Sequence, residues 1–256
     1  MASRNPLRTL NVTRIHSLTP NMRRITVAGP ELEGFPEHQE SAYVKLMFPS
    51  PQNNCVSTGN AQKPIMRTYT IRRHDPVALE MDIDFVVHGD NGPASAWAMQ
   101  AQVGDSLTLS GPGAKKMVDM SADWFFFAGD MTALPAISIN LQQLPSDARG
   151  YAVIEIIDQA DQQPLPVPDG IELHWVINPY PDRPNGQLFN MVKTLPWHKG
   201  RPYVWVAAEF ELMRQLRRYF KQEMAVDRSR LYASSYWKIG ETDEGNKLAK
   251  RRDSEA

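Results

Sequence analysis

One cysteine, Cys55, is all that this chain of 256 residues contains. A single thiol excludes an internal disulfide and any metal or iron–sulfur site built from several thiolates. Its ordinary role is a structural or free thiol, which suits a reducing compartment. Long apolar runs are also missing: nowhere do about eighteen apolar residues follow one another, so no membrane insertion is expected. Residues 1–11 include basic side chains but no apolar core of a signal peptide. Net charge is only −1, and no basic block is interleaved with aromatics, so nucleic acid is not an expected partner and charge recognition must be local. The histidines, His16, His38, His74, His88, His174 and His198, show no ligand-spaced pair on one helix, and no resident metal is expected. These absences point to a soluble cytoplasmic protein.

What is present can bury a real core, since 42% of the chain is hydrophobic, enough for one large domain or two ordinary ones. In the first half, apolar and polar residues alternate near 11–17, 22–28, 42–48, 67–72, 79–87 and 106–110, between Pro, Gly and Asn clusters. That spacing predicts a small antiparallel barrel. The interval 49–64, rich in Pro, Gln, Asn and Ser, reads as a long loop with no assigned task. After Gly111-Pro112-Gly113 the texture changes. Residues 124–128, 151–157, 171–177 and 203–207 are nearly continuous apolar runs, as strands covered on both faces would be. Leu134, Ile137, Leu141 and Leu144 fall at helical spacing, as do Met213, Leu216, Phe220 and Met224, each set making one apolar stripe. Strand and helix in alternation predict a parallel sheet whose ligands bind beyond the carboxyl ends of its strands.

Four segments carry chemistry. Arg67-Thr68-Tyr69-Thr70 is a β-branched and aromatic run beside basic residues, which alone describes any exposed strand. It is followed by Asp84-Phe85-Val86-Val87-His88-Gly89 and then by Gly92-Pro93-Ala94-Ser95-Ala96-Trp97-Ala98. Asn91, Gly92 and Pro93 read as a turn opening a helix, with Pro where its missing N–H does no harm. The N–H groups and positive dipole end of such a start attract an anion, and Gly92, Ala94 and Ser95 are small enough to let a pyrophosphate approach. A well-capped surface helix is the plain alternative. In the second half, Ala128-Gly129-Asp130-Met131-Thr132-Ala133-Leu134-Pro135-Ala136-Ile137 joins the first buried run to the first amphipathic helix. Thr132 is the expected N-cap and Pro135 sits in the first turn, an open strand-to-helix turn suited to a nucleotide. It is not Gly-x-Gly-x-x-Gly, and a capped helix after a strand is the alternative.

In this order, with a closing Ala233-Ser234-Ser235-Tyr236-Trp237-Lys238, the chain resembles the siderophore-interacting protein family from Leu10 to Gly240. Its members are flavin-dependent ferric-siderophore reductases of the ferredoxin reductase-like superfamily. The resemblance implies an N-terminal antiparallel β-barrel domain that binds FAD over 1–113. An α/β parallel-sheet domain for NADH or NADPH follows over 114–240, and a charged tail or helix over 241–256. Arg67, Thr68, Tyr69 and Thr70 would line the flavin, Tyr69 packing on the ring and Arg67 countering pyrophosphate charge. Asp84, Val86 and His88 would belong to the strand reaching the adenine or phosphate part, and Gly92, Ala94, Ser95 and Trp97 to the phosphate-binding turn and helix. A satisfied strand-end His88 and a core Trp97 are the alternatives. Asp130, Thr132, Ala133 and Pro135 match the nicotinamide-side turn, and Glu209 an acidic position near it, although Ala207-Ala208 replaces the commoner Ala-Gly pair. The adenine-side motifs favour FAD over FMN.

The second apolar run ends Ile156-Ile157-Asp158-Gln159-Ala160-Asp161. Asp158 would hydrogen-bond a ribose 2′-hydroxyl and repel a 2′-phosphate, and no arginine follows closely, so NADH is expected over NADPH. Solvated loop aspartates are the alternative, and ferredoxin as the donor would remove the question. The family's chemistry asks for no protein nucleophile or metal ligand, because flavin carries it. The resemblance implies a ferric siderophore as substrate, whose oxygen-rich chelator would hold iron(II) far more weakly than iron(III). Lys238, Lys247, Lys250 and Arg251 are the expected contacts to an anionic chelate. Glu241, Asp243, Glu244, Asp253 and Glu255 in the same segment make a solvated tail the competing reading. Two other functions stay open: a siderophore-binding module without turnover, and a flavoprotein reductase serving an electron-transfer protein.

Overall fold

The computed structural model describes residues 6–49, 64–87 and 92–255. It separates into two compact units, Met1–Lys115 and Lys116–Ala256. In the first, β1 (Leu7–Thr19), β2 (Met22–Ala28), β3 (Tyr43–Phe48), β4 (Ile65–Asp75) and β5 (Glu80–Val86) precede a helix, α1 (Pro93–Gln100), and β6 (Ser106–Ser110). These strands close an antiparallel barrel in the order β1-β2-β5-β4-β3-β6, as the alternation predicts. Met81, Ile83 and Phe85 of β5 enter a core with Leu10, Ile25, Val44, Leu46, Ile71 and Leu109. The intervening Asp82 and Asp84 are buried too, because arginines cover them. Arg73 bonds Asp82 at 2.9 Å, and Arg24 grips Asp84 through bonds of 2.6 and 2.8 Å. Buried carboxylates require such partners. The expected loop at 49–64 falls, apart from its two end residues, outside the described residues.

Strand register makes an opening in this barrel. β4 pairs with β3 from Ile65 to Thr70, but with β5 only from Ile71 onward. Among the described residues, Arg67 to Thr70 therefore has a strand on one side only.

The second unit builds a parallel sheet in the order β11-β10-β7-β8-β9. Its strands are β7 (Trp124–Asp130), β8 (Arg149–Ile156), β9 (Gly170–Ile177), β10 (Pro202–Glu209) and β11 (Leu231–Trp237). The helices are α2 (Leu134–Gln142), α3 (Gln187–Thr194), α4 (Phe210–Arg218) and α5 (Asp243–Glu255). The chain runs outward from β7 to β9, then returns to β10 on the other side of β7, so the strand order reverses between β7 and β10. Ligands of open parallel sheets bind at such a reversal.

Three expectations are corrected. β9 is not covered on both faces: it is an edge strand, with Glu172 and Ile177 exposed. α2 is not amphipathic, since Leu134 through Leu141 are all buried. Its polar residues are satisfied inside, Ser138 donating to the Pro135 carbonyl and Asn140 accepting from Val118 N–H while donating to the Ala136 carbonyl. α4 does bury Phe210, Leu212, Met213 and Leu216 on one stripe, but α-helical bonding ends at Arg218 and a π-helical turn carries Phe220 inward.

Candidate functional site

In the first unit the open edge of β4 carries the arginine-threonine-tyrosine-threonine run. Tyr69 packs its ring on Phe85 at 4.5 Å, Phe85 meets Trp97 at 5.6 Å, and Trp97 meets Phe48 at 5.7 Å. One aromatic row thus joins the β4 edge to α1, and burial pushes the Tyr69 hydroxyl pKa up. Trp97 is half-buried and packs against the barrel core. Arg67 donates to the Met66 carbonyl at 2.9 Å and has no carboxylate partner among the described residues. Thr68 is exposed and Thr70 half-buried.

α1 begins after Gly92, whose extended backbone (φ −127°) any residue could adopt. Among the described residues no side chain caps this start, and a Cβ at Gly92 would meet nothing within 4 Å. The first helical acceptor, the Gly92 carbonyl, is taken by Ala96 N–H, which leaves Ala94 N–H without an acceptor inside the helix. The other end is held by Arg23, which donates to the Ala98 and Met99 carbonyls at 2.6 and 2.8 Å. Ala94 and Ser95 face inward and are buried. Val86 closes β5, opposite Met22. Strand alternation puts Asp84 on the face opposite Phe85, and its carboxylate is held by Arg24. His88 lies outside the described residues.

In the second unit, Asp130 ties the strand ends together. Its carboxylate accepts from Thr132 N–H and Glu209 N–H at 2.9 Å, from Trp237 Nε1 at 2.8 Å, and from the Thr132 hydroxyl. Burial pushes its pKa up and these donors pull it down, burial winning. Thr132 is therefore not the N-cap. The turn is organised by Asp130, Ala133 occupies the cap position, and Pro135 is the second residue of α2. Gly129 allows the crowding: a Cβ there would lie 2.6 Å from the Ala207 carbonyl oxygen and 2.9 Å from Ala133 Cβ.

Glu209 ends β10 and caps α4, accepting from Glu211 N–H at 2.6 Å and Leu212 N–H at 3.2 Å; its other oxygen takes Ile239 N–H at 3.2 Å. Beside it opens a cavity of about 330 Å³ lined by Glu155, Asn178, Arg183, Glu209, Trp237 and Lys238, among others. Lys238 stands 4.5 Å over the Phe210 ring and 3.9 Å from Glu211. The structure thus brings Glu209 and Lys238 to one cavity, with Asp130 bound to two residues of its wall.

Four expected contacts lie outside this cavity. Asp158 is exposed and caps a 3-10 turn, accepting from Ala160 N–H at 2.8 Å. Lys247 and Lys250 have acceptors within the fold. Lys247 pairs with Asp243 within α5, while Lys250, half-buried, donates to Ser234 Oγ at 2.9 Å and the Ser235 carbonyl at 3.0 Å. Both serve helix and docking, because α5 packs on β11 and its acidic Asp253 is clamped by Arg214 and Arg217. Arg251 is exposed on the same helix.

The sequence reading missed Glu155. It sits inside the apolar run of β8, only 8% exposed, and accepts from Asn178 Nδ2 at 2.9 Å. Burial, then the charges of Asp130 and Glu209, push its carboxyl up to about 7, against the pull of the Asn178 bond. A lone acid in a buried run was the available signal, since such a charge demands a partner.

An antiparallel barrel followed by a five-stranded parallel sheet with this site at its reversal defines the ferredoxin reductase-like fold. A ferredoxin–NADP⁺ reductase from Plasmodium falciparum shares it at a TM-score of 0.61 and 9% identity, covering 91% of this chain and all of that one. The family model "Siderophore-interacting FAD-binding domain" matches residues 11–116, and "Siderophore-interacting protein" matches 122–240. The chain belongs to the siderophore-interacting protein family. It is 34% identical over 248 residues to the ferric vibriobactin reductase of Vibrio cholerae, covering 93% of this chain and 91% of that protein. Its identity to the NADPH-dependent ferric-chelate reductase of Escherichia coli is 30%, covering 91% and 94%. The siderophore-interacting protein SipS of Aeromonas hydrophila superposes with a TM-score of 0.84 at 36% identity, covering 98% and 99%.

Proposed function

We propose that this protein is a cytoplasmic, FAD-dependent ferric-siderophore reductase, taking electrons from a reduced nicotinamide and releasing chelated iron as iron(II). What carries the reading is that both units match this family's models, and that two relatives are named ferric vibriobactin reductase and NADPH-dependent ferric-chelate reductase. The lone thiol and the absence, among the described residues, of a helix long and apolar enough to cross a membrane support the location.

The described residues fit FAD. The unpaired edge of β4 offers backbone groups of Arg67 to Thr70 to a flat polar ring, beside Tyr69. Arg67 is a cation without a carboxylate partner there, and the start of α1, where a Cβ at Gly92 would meet nothing within 4 Å, suits a pyrophosphate. Bound there, FAD would supply two-electron exchange with a nicotinamide and one-electron delivery to iron(III), which protein side chains do not supply. Arg23 fixes α1, and with it the anion site, through the helix's last carbonyls.

In the second unit the carboxyl ends of β7, β8 and β10 receive the nicotinamide nucleotide. Asp130, Thr132, Ala133 and Pro135 shape the turn, and Glu209 holds the facing helix start in position. Asp158, exposed just beyond β8, favours a ribose 2′-hydroxyl and therefore NADH, in contrast to the NADPH named for the E. coli relative. Lys238 supplies positive charge at the cavity. Trapping iron(II) with a coloured chelator while ferric siderophore is offered with NADH or with NADPH tests the reading. Faster reduction with NADH is expected. Faster reduction with NADPH would remove the role of Asp158, and no iron(II) with either donor would overturn the activity.

A further inference from the structure

In the cavity beside Glu209, one group is left without a partner. Glu155 Oε1 is held by Asn178, but Oε2 is enclosed and has no hydrogen-bond partner. Asp130 and Glu209, the neighbouring acids, are fully engaged by donors of the fold. The cavity therefore offers an unused acceptor, or a donor when Glu155 is protonated. No cluster of His, Cys, Asp and Glu among the described residues is arranged for a metal ion. Arg183 and Lys238 line the same cavity as Glu209 and Glu211, two positive charges against two negative; the positive pair suits a phosphate and the unused acceptor an N–H group. A pyridine dinucleotide carries both.

We propose that Glu155 determines recognition of the electron donor: its neutral carboxyl meets an N–H-bearing edge of the dinucleotide, and its ionisation turns that anion away. This rests on the nicotinamide-donor reading given above. The surrounding charges agree with it. Asp130 on β7 stands in register with Glu155, Glu209 ends β10, and Glu211, the second residue of α4, lines the cavity. β9 sets Val176 opposite, with His174 two residues back, and α3 brings only Lys193, in its last turn. Losing its proton would add a fourth negative charge to Asp130, Glu209 and Glu211, with only Arg183 and Lys238 lining the cavity to offset it. Burial already pushes the Glu155 carboxyl up to about 7, so that change falls near neutral pH.

Equilibrium binding of NAD⁺ and of ADP-ribose to the flavin-loaded protein tests this, at about pH 6 and about pH 8, in the wild type and in Glu155→Gln. Neither ligand titrates in that interval. With a carboxyl at about 7, the neutral fraction falls from about 0.9 to about 0.1, so wild-type affinity should weaken about tenfold while Glu155→Gln stays flat. The slope for ADP-ribose as well as NAD⁺ assigns the contact to the adenine end, and the slope for NAD⁺ alone assigns it to the carboxamide. Equal slopes in both proteins, or no slope in the wild type, overturn the proposal, and the wild-type slope decides alone if the variant does not fold. Binding of neither ligand at the lower pH, with flavin retained, overturns the nicotinamide reading itself and this proposal with it.

Discussion

Asp130→Asn removes one charge and changes almost no volume, yet the structure makes it costly. A carboxylate only accepts, and all four groups directed at Asp130 are donors: Thr132 N–H, the Thr132 hydroxyl, Glu209 N–H and Trp237 Nε1. Oδ1 serves the Thr132 pair and Oδ2 the Glu209 and Trp237 pair. An asparagine must turn its amide N–H₂ toward one pair or the other. If it faces Glu209 and Trp237, two donors oppose a donor in a site only 7% exposed. Leaving a buried donor unpaired costs about 1–3 kcal/mol, and two such groups about 2–6, partly offset because the desolvated carboxylate is gone. The expected net loss is about 3 kcal/mol, nearly as large as for Asp130→Ala. Urea unfolding followed by tryptophan fluorescence reads this, since five of the six tryptophans lie in the second unit. Two units need not unfold together, so the second unit's transition is the one to compare. An asparagine variant within about 0.5 kcal/mol of wild type would refute the account of Asp130 as the tie between β7, β10 and β11.

Gly92→Ala should leave stability within about 0.5 kcal/mol, because the Cβ meets nothing and the backbone is unstrained, while weakening flavin retention several-fold by filling the anion approach; equilibrium dialysis against free FAD checks it. Glu155 gives a pH dependence of stability. Its folded-state pKa is raised to about 7 from the ordinary 4.5, so the folded state holds the extra proton between those values. That contribution is fully present below the ordinary value and is lost as pH rises through about 7, about 3 kcal/mol in all. Urea midpoints of wild type and Glu155→Gln should therefore diverge from acid to alkaline pH, the variant becoming relatively more stable; parallel curves would contradict this. Lys250→Ala should speed amide exchange along α5 and leave the KM for anionic ferric chelates unchanged, and a raised KM with unaltered exchange would support Lys250 as a substrate contact.

The barrel was legible because one-sided strands show period-two alternation, and all six of its segments correspond to strands. The inner strands of the second sheet were legible as apolar runs, but two features escaped for opposite reasons. β9 is apolar enough to resemble an inner strand, although its place at the edge is fixed by topology. β11, with Ala233, Ser234 and Ser235, is too small and polar to look like a strand. It is held by parallel pairing with β10 and covered by α5, both long-range effects. At the site, residue types were legible and their tasks were not. Asp130, Thr132 and Glu209 stood out in the sequence, but which of them caps, ties or faces a cavity depends on donors up to 107 residues away in the chain. Lys247 and Lys250 illustrate the same limit. A cation in a mixed-charge helix reads as a surface ligand until its acceptors, Asp243, Ser234 and Ser235, are in view.

The anaerobic visible spectrum of the purified protein, recorded alone, after NADH, and after a ferric siderophore, tests the reductase reading most directly. The account predicts a flavin spectrum that bleaches with NADH and returns as the chelate is added, with iron(II) formed in proportion. Flavin that bleaches but is not reoxidised by any ferric chelate, or a protein that cannot be loaded with flavin at all, would contradict it.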